Sequence, residues 1–217
     1  MIVPLPENEK RRLEVLWHYE VLDSMPEEVF DDLTELAASI CESPIALISL
    51  VDEKRQWFKS KIGISASETS RDVSFCAHAI LQEGLFIIPD ATKDERFANN
   101  PLVTSDPHIR FYAGSPLISP DGYPLGTLCV IDKVPHTLRE DQKRALRILS
   151  RVVMTQLELR HRSHELARAK EEHEKMSQAM EQFRMELARV RGQLAKHTAK
   201  RRPARSPVSV RRKRPGK

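Results

Sequence analysis

IRFYAGSPLISPDGYPLGTLCVID, residues 109–132, holds two runs rich in β-branched and aromatic residues, joined by Ser119-Pro120-Asp121-Gly122. An Asp-Gly pair supplies the backbone freedom that a tight reversal needs, so strands over 109–118 and 123–132 are predicted to form a hairpin. Side chains alternate across a strand, which puts Arg110 and Tyr112 on one face and Phe111 and Ala113 on the other. On the second strand Cys129 shares a face with Thr127 and Ile131.

Outward from this hairpin, PIALISLVD (44–52) is a short, almost wholly apolar run ended by charges, as a central strand requires. RQWFKSKIG (55–63) follows after a tight turn as its polar-alternating neighbour, and LFIIPDA (85–91) adds a further strand. Leu13, Leu16, Trp17 and Val21 recur at three- and four-residue steps and predict a first helix. A second carries Val29, Leu33, Leu36, Ala37 and Ile40 on one stripe, with Ser24 to Glu27 before it reading as a capping box. In SFCAHAI (74–80), Ser74 as N-cap and Gly84 past the end predict a short helix over 75–83. Five strands with helices before, between and after them give an α+β layer with a mostly antiparallel sheet.

From Leu138 onward Gly and Pro vanish for more than fifty residues. A continuous helix over 138–197 would run about 90 Å at 1.5 Å per residue. Counting heptads from Val152 gives an apolar seam of Val152, Leu159, Leu166, Met176, Met180, Phe183, Leu187, Val190 and Leu194. It is continuous from Met176 to Leu194 and weak between Thr155 and His173, where Arg162 and His173 fall on seam positions. A two-stranded parallel coiled coil is expected, and with it a homodimer.

Nine Lys or Arg and no Asp or Glu lie between Lys200 and Lys217, so the formal charge of +4 belongs to the tail and the rest of the chain is net acidic. The segment 198–217, rich in Pro and Arg without aromatics, is expected to be disordered. It carries no base-reading motif; its charge suits non-specific nucleic acid or an acidic surface, or simply water. Cys41, Cys76 and Cys129 show no CxxC spacing, so neither a zinc knuckle nor a disulfide framework is expected. The charged run Glu7–Arg12 directly after Met1–Pro6 is unlike a signal peptide, and the longest apolar run, 44–51, is far short of the ~20 residues of a membrane helix. No membrane span and a cytoplasmic location are expected.

NEKRRLEVLWHYEVLDSMPEEVFDDLTELAASICESPIALISLVDEKRQWFKSKIG, then SFCAHAI, PDATKDERFANNPLV, IRFYAGSPL and DGYPLGTLCVID, occur in that order between about Asn8 and Arg160. Together they resemble a bacterial GAF domain of the subgroup that precedes diguanylate cyclases and sensor histidine kinases. The resemblance implies a six-stranded antiparallel sheet, first and last helices on one face, a small-ligand pocket on the other, and a last helix that continues as a signalling helix. The expected organisation is a GAF sensory domain over 1–137, a helix over 138–197 that closes it and continues as the coiled coil, and the tail over 198–217. No NKFDE-like set is present, so cyclic GMP is not implied, and Cys76 does not sit beside bilin-tethering motifs.

Two positions apart on a helix, Cys76 and His78 point about 200° away from each other, so they cannot share a metal or form a thiolate–imidazole couple. No metal and no catalytic residue is expected, and no cofactor is identified beyond an unknown small molecule. The resemblance makes Phe75, Cys76, His78, Asp90, Arg96, Phe97, Arg110, Tyr112 and Cys129 the pocket candidates, with Cys76 read as small apolar core, pocket lining or reactive thiol, His78 as a structural histidine or a pocket polar group, and the face of the 109–118 strand that lines the pocket left open. Asp90, Asp94 and Arg96 are read either as a salt-bridged loop or as a rim in which Arg96 or Arg110 anchors an anion; Arg71 is a further anion candidate. SHEL (163–166) opens like a phosphoacceptor box but continues ARAK, and His164 falls at an outward position.

The expected function is that of a non-enzymatic sensory or adaptor protein in bacterial signal transduction, of the kind associated with two-component systems. It would bind a small molecule or a partner and pass its state through the dimeric helix to a separate kinase, cyclase or regulator. One alternative is a coiled-coil scaffold docking on DNA or an acidic partner through the basic tail. Another is a thiol redox enzyme using Cys76 and Cys129.

Overall fold

The computed structural model describes residues 4–200, with side chains placed through 196. Residues up to 164 make one compact unit and those from 165 a second, and each is taken by itself. The first contains α1 (Glu9–His18), α2 (Glu28–Cys41), β1 (Ile45–Val51), β2 (Arg55–Ile62), β3 (Glu68–Ser70), α3 (Phe75–Ala79), β4 (Phe86–Ile88), α4 (Pro101–Thr104), β5 (Phe111–Ile118), β6 (Pro124–Asp132) and the start of α5 (Glu140–Lys200). The strands form one sheet in the order β3-β2-β1-β6-β5-β4, antiparallel throughout. This is the α+β fold with flanking helices and a long last helix. The residue pattern gave five strands; the sixth, β3, is a three-residue edge strand with no apolar run to announce it.

The central strands are buried on both faces, and their alternation sorts the core into two layers. Ala46, Ile48 and Leu50 of β1, Phe111 and Ala113 of β5, and Leu128 and Val130 of β6 face α1, α2 and α5, which contribute Leu13, Leu16, Phe30, Leu146, Leu149, Val153 and Leu157. Ile45 and Leu47 of β1, Tyr112 of β5, and Cys129 and Ile131 of β6 face the other way, toward α3, β4 and the loops around α4. Gly126 lets β1 and β6 lie this close: a β-carbon there would meet the Ser49 carbonyl oxygen and come within 2.8 Å of Leu50 Cα.

Two charge clusters fasten the helices to the sheet. Arg12, wholly buried, donates to both carboxylate oxygens of Glu9 (2.8 Å each) and to Val51 O (2.7 Å), and Arg71 donates to Glu9 Oε1 at 2.5 Å. Arg71 is thus engaged with α1. Lys59, its side chain fully enclosed, donates to Glu27 Oε1 (2.6 Å), Ser24 Oγ (2.9 Å) and Met25 O (2.7 Å), and Arg160 donates to the same Glu27 oxygen at 2.7 Å. Burial opposes the Glu27 charge, but the hydrogen bonds from Lys59 and Arg160 outweigh it and hold the carboxyl below its ordinary range.

The expected capping box does not form. Ser24 Oγ donates to Val21 O, Glu27 reaches Lys59 and Arg160, and α2 starts without a side-chain cap, because the buried ammonium is the stronger partner. The expected α2 stripe faces the core only in part: Ala37 is buried and Leu33 and Ile40 pack at its margin, but Val29 and Leu36 are exposed, and Phe30, Thr34 and Cys41 are the other buried residues. Trp17 is about half exposed, donating to Asp52 Oδ1 at 3.0 Å, and Val21 is buried beyond the end of α1. Helix α3 keeps its predicted cap but ends at Ala79, four residues early.

The second unit is the remainder of α5, and every described side chain from 165 to 196 is exposed. Beyond Lys200 the expected tail lies outside the described residues. Among the described residues no helix is long and apolar enough to cross a membrane.

Substituting Gly126→Ala should cost about 2–3 kcal/mol or more in urea unfolding, since backbone rather than a flexible side chain blocks the new methyl. Gly122→Ala, at φ +85° in the open turn, should cost only about 1–2 kcal/mol; equal midpoints for the two would contradict the close β1–β6 approach. The depressed Glu27 carboxyl contributes stability above about pH 4.5 that is lost as pH falls through its folded value. Acid unfolding of Glu27→Gln should accordingly be flatter below pH 4.5 than that of the unaltered chain.

Candidate functional site

The site is built on the sheet face opposite α1, α2 and α5. Ser74 accepts from Ala77 N at 3.0 Å to cap α3, while its hydroxyl donates to Gln56 Oε1 of β2. Asn100 caps α4 by accepting from Leu102 N (2.9 Å) and donates Nδ2 to Val73 O (3.0 Å), so one side chain ties both short helices together. Phe75 stacks on Phe97, ring centroids 4.0 Å apart and planes within 9°, and lies 5.3 Å from the Tyr112 ring. The Tyr112 ring covers Gly114, where a β-carbon would strike its hydroxyl.

Under these rings is a buried polar cluster. Cys76 Sγ and Cys129 Sγ are 3.7 Å apart, Tyr112 OH donates to Cys76 Sγ at 3.2 Å, and Thr127 Oγ1 lies 3.5 Å from the same hydroxyl. Burial raises both thiols. For Cys76 it is outweighed by hydrogen bonds from Cys129, Thr127 and Tyr112, so this sulfur is drawn downward. Cys129, facing burial and the Cys76 charge, is pushed well above the ordinary thiol value. Burial and the neighbouring sulfurs also push Tyr112 upward, keeping it a neutral donor.

The remaining residues named from the sequence lie around this cluster. His78 meets Phe97 edge-on at 4.9 Å, and burial, with the nearby Arg96 charge, lowers its pKa. Arg96 lies over the rings of Phe86 and Phe97 at 5.0 and 5.5 Å and pairs with Asp94 at 2.7 Å, which is the salt-bridged-loop reading of this segment. Asp90 accepts from Thr92 and pairs with exposed Lys93, and Arg110 donates to Val103 O and Ile109 O. Both residues thereby fix loops.

Phe75, Cys76, Phe97, Tyr112 and Cys129 are buried in one layer of the core. The open volume lies beside them, a cavity of about 290 Å³ over β1, β2 and β6, and its walls come from other residues. Ile45, Leu47, Phe58 and Ile131 make an apolar floor, Gln56 and Thr69 add polar groups, and Asp106 and Lys133 stand exposed at the rim. Thr69 Oγ1 is buried without a hydrogen-bond partner. Two wider clefts, of about 500 Å³ between α1 and α5 and 640 Å³ at the β2–β3 edge, are more open and walled largely by charged side chains. An enclosed apolar wall with few polar groups is what a small ligand needs, so the 290 Å³ cavity is the candidate. One signal for it was present in the sequence, the shared face of Cys129 and Ile131; the loop at 63–66 and the turn at 106–107 that complete it gave none.

The description "GAF domain" fits residues 25–157. A cyclic di-GMP phosphodiesterase of Pseudomonas aeruginosa is 44% identical over 155 residues, 71% of this chain and 26% of that protein, so the chain spans about a quarter of its relative's length. Among solved structures, the GAF domain of an Acinetobacter phosphoenolpyruvate-protein phosphotransferase superposes with TM-score 0.53 at 19% identity, covering 72% of this chain and 96% of that one. Free methionine-R-sulfoxide reductase from Neisseria meningitidis, solved with its substrate, gives 0.52 at 16%, covering 75% and 98%. At these identities the likeness shows a shared fold alone.

A histidine whose pKa is lowered by folding binds protons more readily when unfolded, so stability falls as pH drops below the unfolded value of about 6.5. The thermal midpoint of the unaltered chain should therefore decline relative to His78→Leu between pH 7 and 5.5; parallel curves would place His78 in water.

Proposed function

The chain belongs to the GAF domain family, and on that premise we propose that it is a non-enzymatic sensory module that binds a small molecule in the cavity over β1, β2 and β6. The observation that carries this reading is the division of labour across one sheet. Leu47 and Ile131 line the cavity, while their strand neighbours Ala46, Ile48 and Val130 pack into the layer formed by α1, α2 and α5. A ligand that fits one arrangement of these strands better than another would bias the packing of Leu149, Val153 and Leu157 of α5, and only such differential affinity can shift an equilibrium.

The output in this reading is a dimer. Leu166, Met176, Met180, Phe183, Leu187 and Val190 are between two-fifths and three-quarters exposed along α5, at the spacing of a two-stranded seam, and a second copy of the chain is the partner that spacing suits. The weakly apolar interval from Thr155 to His173 would be its adjustable part. The likeness to part of a cyclic di-GMP phosphodiesterase supports a place in bacterial signalling.

Native mass spectrometry of the purified chain should show a dimer retaining a small molecule. Leu47→Trp, which fills the cavity, should release the molecule and keep the dimer; Phe183→Glu should split the dimer and keep the molecule. A monomer that retains nothing would overturn the proposal.

A further inference from the structure

Neither the cavity nor the helix seam uses the two thiols beneath the aromatic rings. Their placement has three features that ordinary core packing does not require. The sulfurs are in contact at 3.7 Å, although Cys76 belongs to a five-residue helix and Cys129 to a central strand 53 positions away. Tyr112 OH donates to Cys76 Sγ at 3.2 Å, which gives this sulfur a polar partner inside the core. Ser49, whose partner across β1–β6 is Thr127, holds a buried hydroxyl that has no hydrogen-bond partner, so the thiols have polar company in an apolar layer.

The pair also has an approach. Leu47 lies opposite Cys129 in the β1–β6 ladder and Ile131 follows it on the same face, and both are walls of the 290 Å³ cavity. Both thiols are buried and neither lines the cavity, so a small reactant in it has to displace a wall side chain such as Leu47 to reach them. Cys41, the third thiol, is buried in the opposite layer among the helices and has no such approach.

We propose that Cys76 and Cys129 form a disulfide-forming pair whose reactant is a small hydroperoxide. The Cys76 thiolate attacks one peroxide oxygen and the O–O bond breaks. The sulfur, oxidised by two electrons, becomes a sulfenic acid, and the other oxygen leaves as water or an alcohol after taking up the proton. Cys129 then attacks the Cys76 sulfur, the S–O bond breaks, and the hydroxyl departs as water with the Cys129 proton. Two thiols and one hydroperoxide thus give one disulfide, one water and one further molecule of water or alcohol. Closing from 3.7 Å to the S–S bond length of about 2.05 Å is a movement of about 1.7 Å. The movement falls to the five-residue helix α3, since β6 is hydrogen-bonded on both sides.

The full-length chain, treated with hydrogen peroxide, alkylated with N-ethylmaleimide in denaturant and weighed intact, reads this directly. The number of alkylated thiols should fall from three to one, and peptide mapping should find Cys41 alkylated and the Cys76 and Cys129 peptides joined. In Cys129→Ser, dimedone should label Cys76 as the trapped sulfenic acid, whereas Cys76→Ser should give no label at Cys129. Three alkylated thiols at peroxide levels that oxidise a control dithiol protein would overturn the proposal, as would disulfides that link separate chains or involve Cys41. Should a serine variant fail to fold, the peptide map of the unaltered chain decides. None of these readings needs a ligand in the cavity, so they stand or fall apart from the sensory proposal.

Discussion

The constraint on which the rest of the molecule depends is that β1 and β6 lie side by side at the centre of the sheet with both faces buried. A strand in that position has to be covered twice, and the cover differs on the two sides. Three helices with long apolar stripes form one layer. Two very short helices and loops form the other, and they cannot close over the sheet everywhere. The unfilled part is the cavity, bounded by the same strands that carry the helical layer on their far side.

Charge holds this arrangement together at its margins. Glu9 and Glu27 each collect two cations, and in each cluster one cation is almost fully enclosed. Breaking a buried pair by removing one partner is costly because the other is left charged without water. The two clusters therefore fix where α1 and the start of α2 meet the sheet, and through Arg160 where α5 lies.

Much of the fold was legible in residues 44–63 and 109–132, because strand burial is a local, period-two property. The long helix was equally plain, since nothing between Leu138 and Gly192 can break one. The centre of the α2 core face was read one step off, because Val29, Leu33, Leu36, Ala37 and Ile40 recur at helical spacing, whereas the buried face centres on Phe30, Thr34, Ala37 and Cys41. Thr34 escapes a hydropathy reading because its hydroxyl donates to Phe30 O inside the helix. Ser24 and Glu27 have the right spacing for a cap, but a buried lysine 32 residues beyond Glu27 competes for both, and no local pattern reveals it.

Periodicity in the chain thus determined the elements, their type and the two-sided character of the central strands, because each depends on neighbours a few positions away. Tertiary packing alone decided that Cys76 meets Cys129 and that a void opens over Ile45, Leu47 and Ile131. The physical reason is that a void is what several segments together fail to fill. Its position follows from the summed shapes of side chains on β1, β2, β6 and two loops, and that sum is written in no single stretch of sequence.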